Sequence, residues 1–229
     1  MADREIERIR QVYQGRISSG VIERYSADRP GERYLLERRE AEILALLGRR
    51  SLDLAQARIL EVGCGRGDRL ADWLKWGAVE AKLAGIDLME PFLTEARARL
   101  PQATLATASG DRLPFADASF DVVSQLTVFT SILDKGLKER IAAEMRRVLK
   151  PGGFILWFDF RYPSHRNRDV RPVGRREIAE LFPGARIEIK SVTLLPPLAR
   201  RLAPVSPGLC RVLESLPFLR SHYLAAIEP

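Results

Sequence analysis

The segment Ala57-Arg58-Ile59-Leu60-Glu61-Val62-Gly63-Cys64-Gly65-Arg66-Gly67 runs from a short apolar, partly β-branched stretch into three glycines at alternate positions. From Asp68 to Trp76 apolar residues follow at helical spacing. The pattern reads as strand, glycine turn, helix. Glycine reaches backbone angles closed to other residues and lets a ligand lie against the main chain, while the helix start beyond it offers unpaired N–H groups. A second apolar run, Ala84-Gly85-Ile86, ends on Asp87, where the second strand of a doubly wound sheet holds a ribose by its hydroxyls. The expected ligand is a nucleoside.

The glycine spacing narrows the choice. A dinucleotide site has G-x-G-x-x-G, so that a helix start faces a pyrophosphate. Here the third glycine comes one residue early and Asp68 stands in its place, where a carboxylate would repel a pyrophosphate. Glu61 adds an acid on the same side, which suits a ligand carrying an ammonium group. In these residues the chain resembles the class I S-adenosylmethionine-dependent methyltransferases, whose first motif runs acid-x-G-x-G-x-G. The resemblance implies an α/β protein, a Rossmann-like doubly wound sheet of seven mostly parallel strands, and S-adenosyl-L-methionine as cofactor. That cofactor is a nucleoside with an amino-acid tail and no phosphate. The alternative is a glycine-rich turn in an ordinary α/β domain.

Two later motifs carry the resemblance further. Gly110-Asp111-Arg112-Leu113-Pro114-Phe115, followed by Ser119-Phe120-Asp121, is similar to the G-D…L-P-F…S-F-D motif of the small-molecule branch often called type 11, with the Asp-to-Leu spacing shortened. Leu149-Lys150-Pro151-Gly152-Gly153 is similar to the turn that leads into the fifth strand of that fold. Asp111 at a strand end can accept a hydrogen bond from the exocyclic amine of adenine, and the Arg112 N–H can reach a ring nitrogen. Leu113 and Phe115 would wall the ring. Alternatively Asp111 simply opens the turn before Pro114. The cofactor set implied is Glu61, Gly63, Cys64, Gly65, Gly67, Asp87, Leu88, Gly110, Asp111, Arg112 and Gln125, and the segment from Gln125 to Phe129 would line the transfer point.

The chain has 229 residues, 46% of them hydrophobic, enough for one large domain or a domain with a cap. Cys64 and Cys210 give neither a metal-ligand spacing nor a disulfide framework, so no metal site and a reducing cytoplasm are expected. The N-terminal stretch is charged throughout, and no run approaches a membrane span. A soluble cytoplasmic protein is expected. The net charge is +7, and between Arg161 and Arg220 twelve Lys or Arg stand against five Asp or Glu. Such a surplus suits nucleic acid, anionic lipid or an anionic small molecule, or is only a solvated face.

Residues 1–50 read as a helical cap. One helix carries Ile6, Ile9, Val12 and Tyr13, and a second runs from Glu32 to Leu47 with Leu35, Leu36, Ile43, Leu44 and Leu47 inward. Tyr13, Tyr25 and Tyr34 are lid candidates or core residues. Residues 51–229 read as the methyltransferase domain, with strands at Thr104–Ala108, Phe154–Phe158, Arg186–Leu194 and Ser221–Ile227, and with Asp121–Phe129 as the fourth strand and the segment after it. The segment 195–220, with five prolines, is expected to form one or two short helices in the acceptor pocket or on a membrane-contacting face.

Methyl transfer from a sulfonium is an in-line displacement in which proximity and alignment supply most of the catalysis. A base is needed only if the acceptor must lose a proton. His165, Asp159 and Tyr162 are the candidates, whereas His222 in the last strand reads as a packed side chain. Arg161, Arg166 and Arg168 are expected to hold an anionic acceptor. The sequence therefore points to methyl transfer onto a small molecule or a lipid- or nucleotide-linked saccharide, with peripheral membrane contact open. A nucleic-acid methyltransferase is disfavoured by the lack of an N-P-P-Y-type motif, and a non-catalytic cofactor-binding protein is the other alternative.

Overall fold

The computed structural model describes residues 2–20, 28–163 and 167–229. Seven strands, β1 (Ile59–Val62), β2 (Leu83–Asp87), β3 (Thr104–Thr107), β4 (Phe120–Leu126), β5 (Leu149–Phe160), β6 (Arg186–Leu194) and β7 (Arg220–Glu228), form one sheet in the order 3-2-1-4-5-7-6. Only β7 runs antiparallel to its neighbours. The strand order reverses between β1 and β4, which opens a crevice at their carboxyl ends.

The helices are α1 (Ala2–Ser18), α2 (Pro30–Leu47), α3 (Asp68–Lys75), α4 (Glu90–Arg99), α5 (Lys135–Val148), α6 (Arg175–Leu181), α7 (Pro196–Leu202) and α8 (Pro207–Glu214). Strand side chains alternate between two layers. Leu60 and Val62 point to a core shared with Ile9 of α1, Ile141 and Met145 of α5, and Ile178 of α6. Ile59 points to the other, with Ile43, Leu46 and Leu47 of α2, Trp73 of α3 and Leu93 of α4. The first two helices are thus part of the layers that cover the sheet.

Local chemistry sets several boundaries. Proline stands in the first turn of α2, α4, α7 and α8, where its missing N–H costs nothing. The Asp134 carboxylate accepts the Leu137 N–H at 2.6 Å to cap α5, and the Ser206 hydroxyl caps α8 through the Leu209 N–H. α7 and α8 occupy the expected insertion. They pack a small third core of Tyr34, Leu194, Ala199, Ala203 and Cys210.

Three expectations are corrected. Leu44 is 41% exposed, whereas Leu46 is 1% exposed. With about 100° per residue, a face centred on Ile43, Leu46 and Leu47 turns position 44 outward. Tyr34 is no lid residue, since its ring is buried and its hydroxyl donates to Glu214 at 2.6 Å. Lys150 to Gly153 does not stand outside the strand but is a bulge within β5, where the register steps from Phe120 opposite Leu149 to Val122 opposite Phe154. Gly153 is required there, because a Cβ would lie 2.6 Å from the Asp121 carbonyl oxygen.

Candidate cofactor site

The turn after β1 is held from below. The Gly63 and Cys64 N–H groups both donate to the Ile86 carbonyl, at 2.8 and 2.9 Å, and the Gly65 N–H donates to Asp87 Oδ2 at 2.8 Å. The other Asp87 oxygen accepts the Met89 N–H at 2.9 Å. These bonds fix the end of β2 against the glycine turn. Gly63, Gly65 and Gly67 all have positive φ, at 74, 54 and 78°, which non-glycine residues adopt only under strain.

The three glycines face different surroundings. A Cβ on Gly63 would meet Val128 across the β1–β4 crevice at 2.5 Å, and one on Gly67 would meet Ala96 of α4 and Leu100 just beyond it at 3.2 Å. At Gly65, among the described residues, no atom beyond its two chain neighbours lies within 4 Å of that position. Gly65 therefore presents open main chain. The Cys64 side chain is 4% exposed and packs against Gly85 and Leu70, so only its backbone borders the turn. Burial pushes its thiol well above the ordinary range, with Glu61 and Asp87 adding to the rise.

Glu61 is the electrostatic centre of the site. It is 1% exposed, and its Oε2 has no hydrogen-bond partner among the described residues. Burial raises its carboxyl well above the ordinary carboxylate range, and Asp72, Asp68 and Asp87 push it the same way. Its neighbours are compensated: Asp72 pairs with Arg69 and Lys75, both at 2.8 Å, and Asp68 pairs with Arg99. A buried carboxylate without a cation is costly. An ammonium group of a ligand would supply the missing charge.

The residues expected to meet adenine lie on the loop after β3. Asp111 accepts the Ser109 hydroxyl at 2.5 Å and lies 3.4 Å from Arg140 Nε. The Arg112 N–H donates to the Ser109 carbonyl at 3.1 Å, so the expected bond to a ring nitrogen is replaced by a turn bond. Gly110 is packed against Val62 and Ile141. Leu88 is half-buried against the first core. Gln125 is fully buried at the end of β4, where its Oε1 accepts the Val128 N–H at 3.0 Å and its Nε2 has no partner.

α1 lies across the crevice. The Arg8 guanidinium donates to the Ser131 carbonyl at 2.7 Å, the Leu133 N–H donates to Glu5 at 2.6 Å, and the Tyr13 hydroxyl lies 3.3 Å from that of Ser131. The Tyr13 ring meets Phe92 of α4 edge-on at 6.4 Å. Tyr13 thus bridges the segments after β4 and β2. Tyr25 lies outside the described residues.

The candidate bases are placed differently. Asp159 is buried at the end of β5 and accepts the Thr130 and Phe160 N–H groups at 3.1 and 3.0 Å. Burial pushes its carboxyl up to about 7, against those hydrogen bonds and the nearby Lys138 ammonium. The Tyr162 hydroxyl donates to the Phe218 carbonyl at 3.1 Å. Arg161 donates to the Pro217 carbonyl at 2.9 Å and stacks on Tyr162 and Tyr223. Both are straps to the segment beyond α8. Arg168 is exposed. His165 and Arg166 lie outside the described residues.

His222 is a packed side chain, as its strand position suggests. It is stacked on Phe158 at 4.4 Å, and its Nδ1 lies 2.6 Å from Thr193 Oγ1 and 2.8 Å from Ser221 Oγ. Burial lowers it to about 3. Two opposed pH dependences follow. Between about pH 4 and 7 folded Asp159 holds a proton that the unfolded chain releases, so its contribution weakens as pH rises. Between about pH 6.5 and 3 the unfolded chain protonates His222 while the folded chain does not, so stability is lost as pH falls. Melting temperatures at pH 4.5 and 7.5 should show Asp159→Asn shifting the difference in favour of pH 7.5 and His222→Gln shifting it in favour of pH 4.5. Shifts of the same sign would refute the assignment.

Sequence reading missed Arg39. It lines a small cavity between α2 and α3 with Glu40, Arg69, Asp72 and Trp73, and its Nη2 is buried without a hydrogen-bond partner. An arginine on a charged helix carries no local signal of such a place.

Residues 59–153 match the family described as "Methyltransferase domain". The chain is 38% identical over 145 residues to phthiotriol/phenolphthiotriol dimycocerosates methyltransferase 1 of Mycobacterium ulcerans, covering 58% of this chain and 52% of that one. It is 37% identical over 123 residues to the demethylmenaquinone methyltransferase of Thermus thermophilus, covering 50% and 54%. The chain thus spans about half the length of these relatives. Among solved structures, geranyl diphosphate C-methyltransferase from Streptomyces coelicolor, in complex with Mg2+, geranyl diphosphate and S-adenosyl-L-homocysteine, superposes with a TM-score of 0.63 at 15% identity, covering 82% of this chain and 77% of that one. At that identity the likeness is one of fold. These likenesses support a class I S-adenosylmethionine-dependent methyltransferase, with the family match running from β1 into the start of β5. The cofactor of that class is S-adenosyl-L-methionine.

Proposed function

We propose that the protein transfers the methyl group of S-adenosyl-L-methionine to a small-molecule acceptor with an apolar, lipid-like portion. The observation that carries the cofactor side is Glu61, a buried acid with an unpartnered oxygen beneath the glycine turn. When bound, the cofactor supplies an activated methyl group. Glu61 would hold the ammonium of its tail, the bare main chain at Gly65 would border its body, and Asp87 would take the ribose hydroxyls. Asp111 would accept from the adenine amine, with α1 and Tyr13 covering the crevice.

Catalysis then rests on alignment at the end of β4, where the Gln125 bond to the Val128 N–H fixes the segment that borders the acceptor. Asp159 and Tyr162 spend their polar atoms on the Thr130, Phe160 and Phe218 main chain, so neither is assigned the role of base. An apolar acceptor fits the relatives named for a dimycocerosate and a demethylmenaquinone. Arg168 is the described arginine assigned to an anionic portion.

Asp111→Asn can turn an amide donor toward adenine, so calorimetry should show weaker S-adenosylhomocysteine binding at an unchanged melting temperature. Parental affinity would reduce Asp111 to a turn residue. Incubation of the protein with methyl-labelled cofactor and extracted acceptor pools should move label into an organic-soluble product. Label only in water-soluble or nucleic-acid fractions would contradict the acceptor class.

A further inference from the structure

α8 is apolar on the side that faces solvent as well as on the side that faces the core. Inward, Cys210 is fully buried and Leu213 packs beside it. Outward, Leu209, Val212 and Leu216 fall at helical spacing, with Val205 one turn earlier and Phe218 just beyond. Val205 is 85% exposed, Val212 65% and Phe218 63%. Isolated apolar residues on a surface need no explanation, but a continuous stripe of them does.

The exposed charge within this segment has one sign. The segment from Leu195 to Arg220 contains Arg200, Arg201, Arg211 and Arg220 and a single acid, Glu214. Glu214 is 6% exposed and is taken up by Tyr34 and Arg38. Glu32, the acid that reaches this segment from α2, is 7% exposed and paired with Arg200. Arg201 and Arg211 are exposed on the same two helices. An apolar stripe bordered by arginines matches a surface that offers hydrocarbon below anionic headgroups. A two-fold contact with a second copy would instead bring the arginines of both copies together.

The patch also lies at the site's end of the sheet. Leu194 at the end of β6 pairs with Arg220 at the start of β7, and Phe160 at the end of β5 pairs with His222. The insertion therefore leaves and rejoins the sheet at the edge where β1, β4 and β5 also end. Arg161 and Tyr162, on the loop after β5, hold the Pro217 and Phe218 carbonyls.

We infer that Val205, Leu209, Val212, Leu216 and Phe218, with Arg201 and Arg211, dock the protein on an anionic lipid surface. This deepens the acceptor class proposed above and rests on that reading for its purpose, while vesicle binding is read without any turnover. The stripe enters the headgroup boundary and the arginines pair with lipid phosphate, which sets the cofactor crevice close to lipid-borne acceptors.

Co-sedimentation with phosphatidylcholine vesicles, with and without phosphatidylglycerol, tests this on the full chain. Binding should require phosphatidylglycerol and weaken with salt. Val212→Glu should lower vesicle affinity at least tenfold, and Arg201→Gln and Arg211→Gln should each lower it about fivefold, the loss of one surface cation. Melting temperature and S-adenosylhomocysteine affinity should stay at the parental values, and these readings separate a failed surface from a failed cofactor site. Lack of vesicle binding at low salt, or Val212→Glu binding as well as the parent, would overturn the inference. So would a parental dimer in light scattering that Val212→Glu dissociates, which would assign the stripe to a second copy.

Discussion

Replacing Gly65 by valine should abolish measurable S-adenosylhomocysteine binding, a loss of at least a hundredfold, while leaving the sheet folded. Two effects combine. The backbone at Gly65 has φ 54°, a conformation that costs a β-branched residue about 1–3 kcal/mol where surrounding bonds enforce it. Those bonds are present, because the Gly65 N–H is held by Asp87. The side chain itself would also stand in the open space found at that position, where the ligand must approach. The contrast is Gly85→Val. Its Cβ would come within 2.9 Å of Cys64 and Leu70 side-chain atoms, so that variant should lose folded protein rather than affinity. Circular dichroism melts paired with calorimetry distinguish the two. A Gly65→Val protein that binds like the parent would show that the ligand does not use this turn.

Glu61→Gln should change stability and binding in opposite directions. Glu61 is buried without a compensating cation, and desolvation first, then three nearby acids, resist its ionisation. Replacing this acid, which the unfolded chain ionises and the fold keeps from ionising, should therefore raise the melting temperature of the ligand-free protein near neutral pH. The same change should weaken S-adenosylhomocysteine binding by about 1.5–3 kcal/mol, the range for a hydrogen bond to a charged group. A residue kept only for packing would lose stability on substitution and leave affinity alone.

Much of this was legible in the sequence. The glycine spacing, Glu61 and Asp87 each have a local signature, because a turn with positive φ and an acid at a strand end are set by neighbouring residues. β6 and the inward face of α5 follow from periodicity, and the structure agrees with both. What was not legible depends on partners distant in the chain. Tyr34 is a core residue because Glu214, 180 positions later, accepts its hydroxyl. Arg161 reads as an acceptor ligand and Tyr162 as a candidate base, but the carbonyls of Pro217 and Phe218 take them up. The outward stripe of α8 has the same apolar composition as an inward one. Only the fold says which side faces the core.

The central claim is that the turn after β1 and its buried acid receive a nucleoside with an amino-acid tail. Calorimetric titration of the parent protein with S-adenosylhomocysteine and, separately, with NAD tests it most directly. The account predicts saturable binding of S-adenosylhomocysteine, weakened in Glu61→Gln, and no binding of NAD. Tight binding of NAD with none of S-adenosylhomocysteine would contradict it.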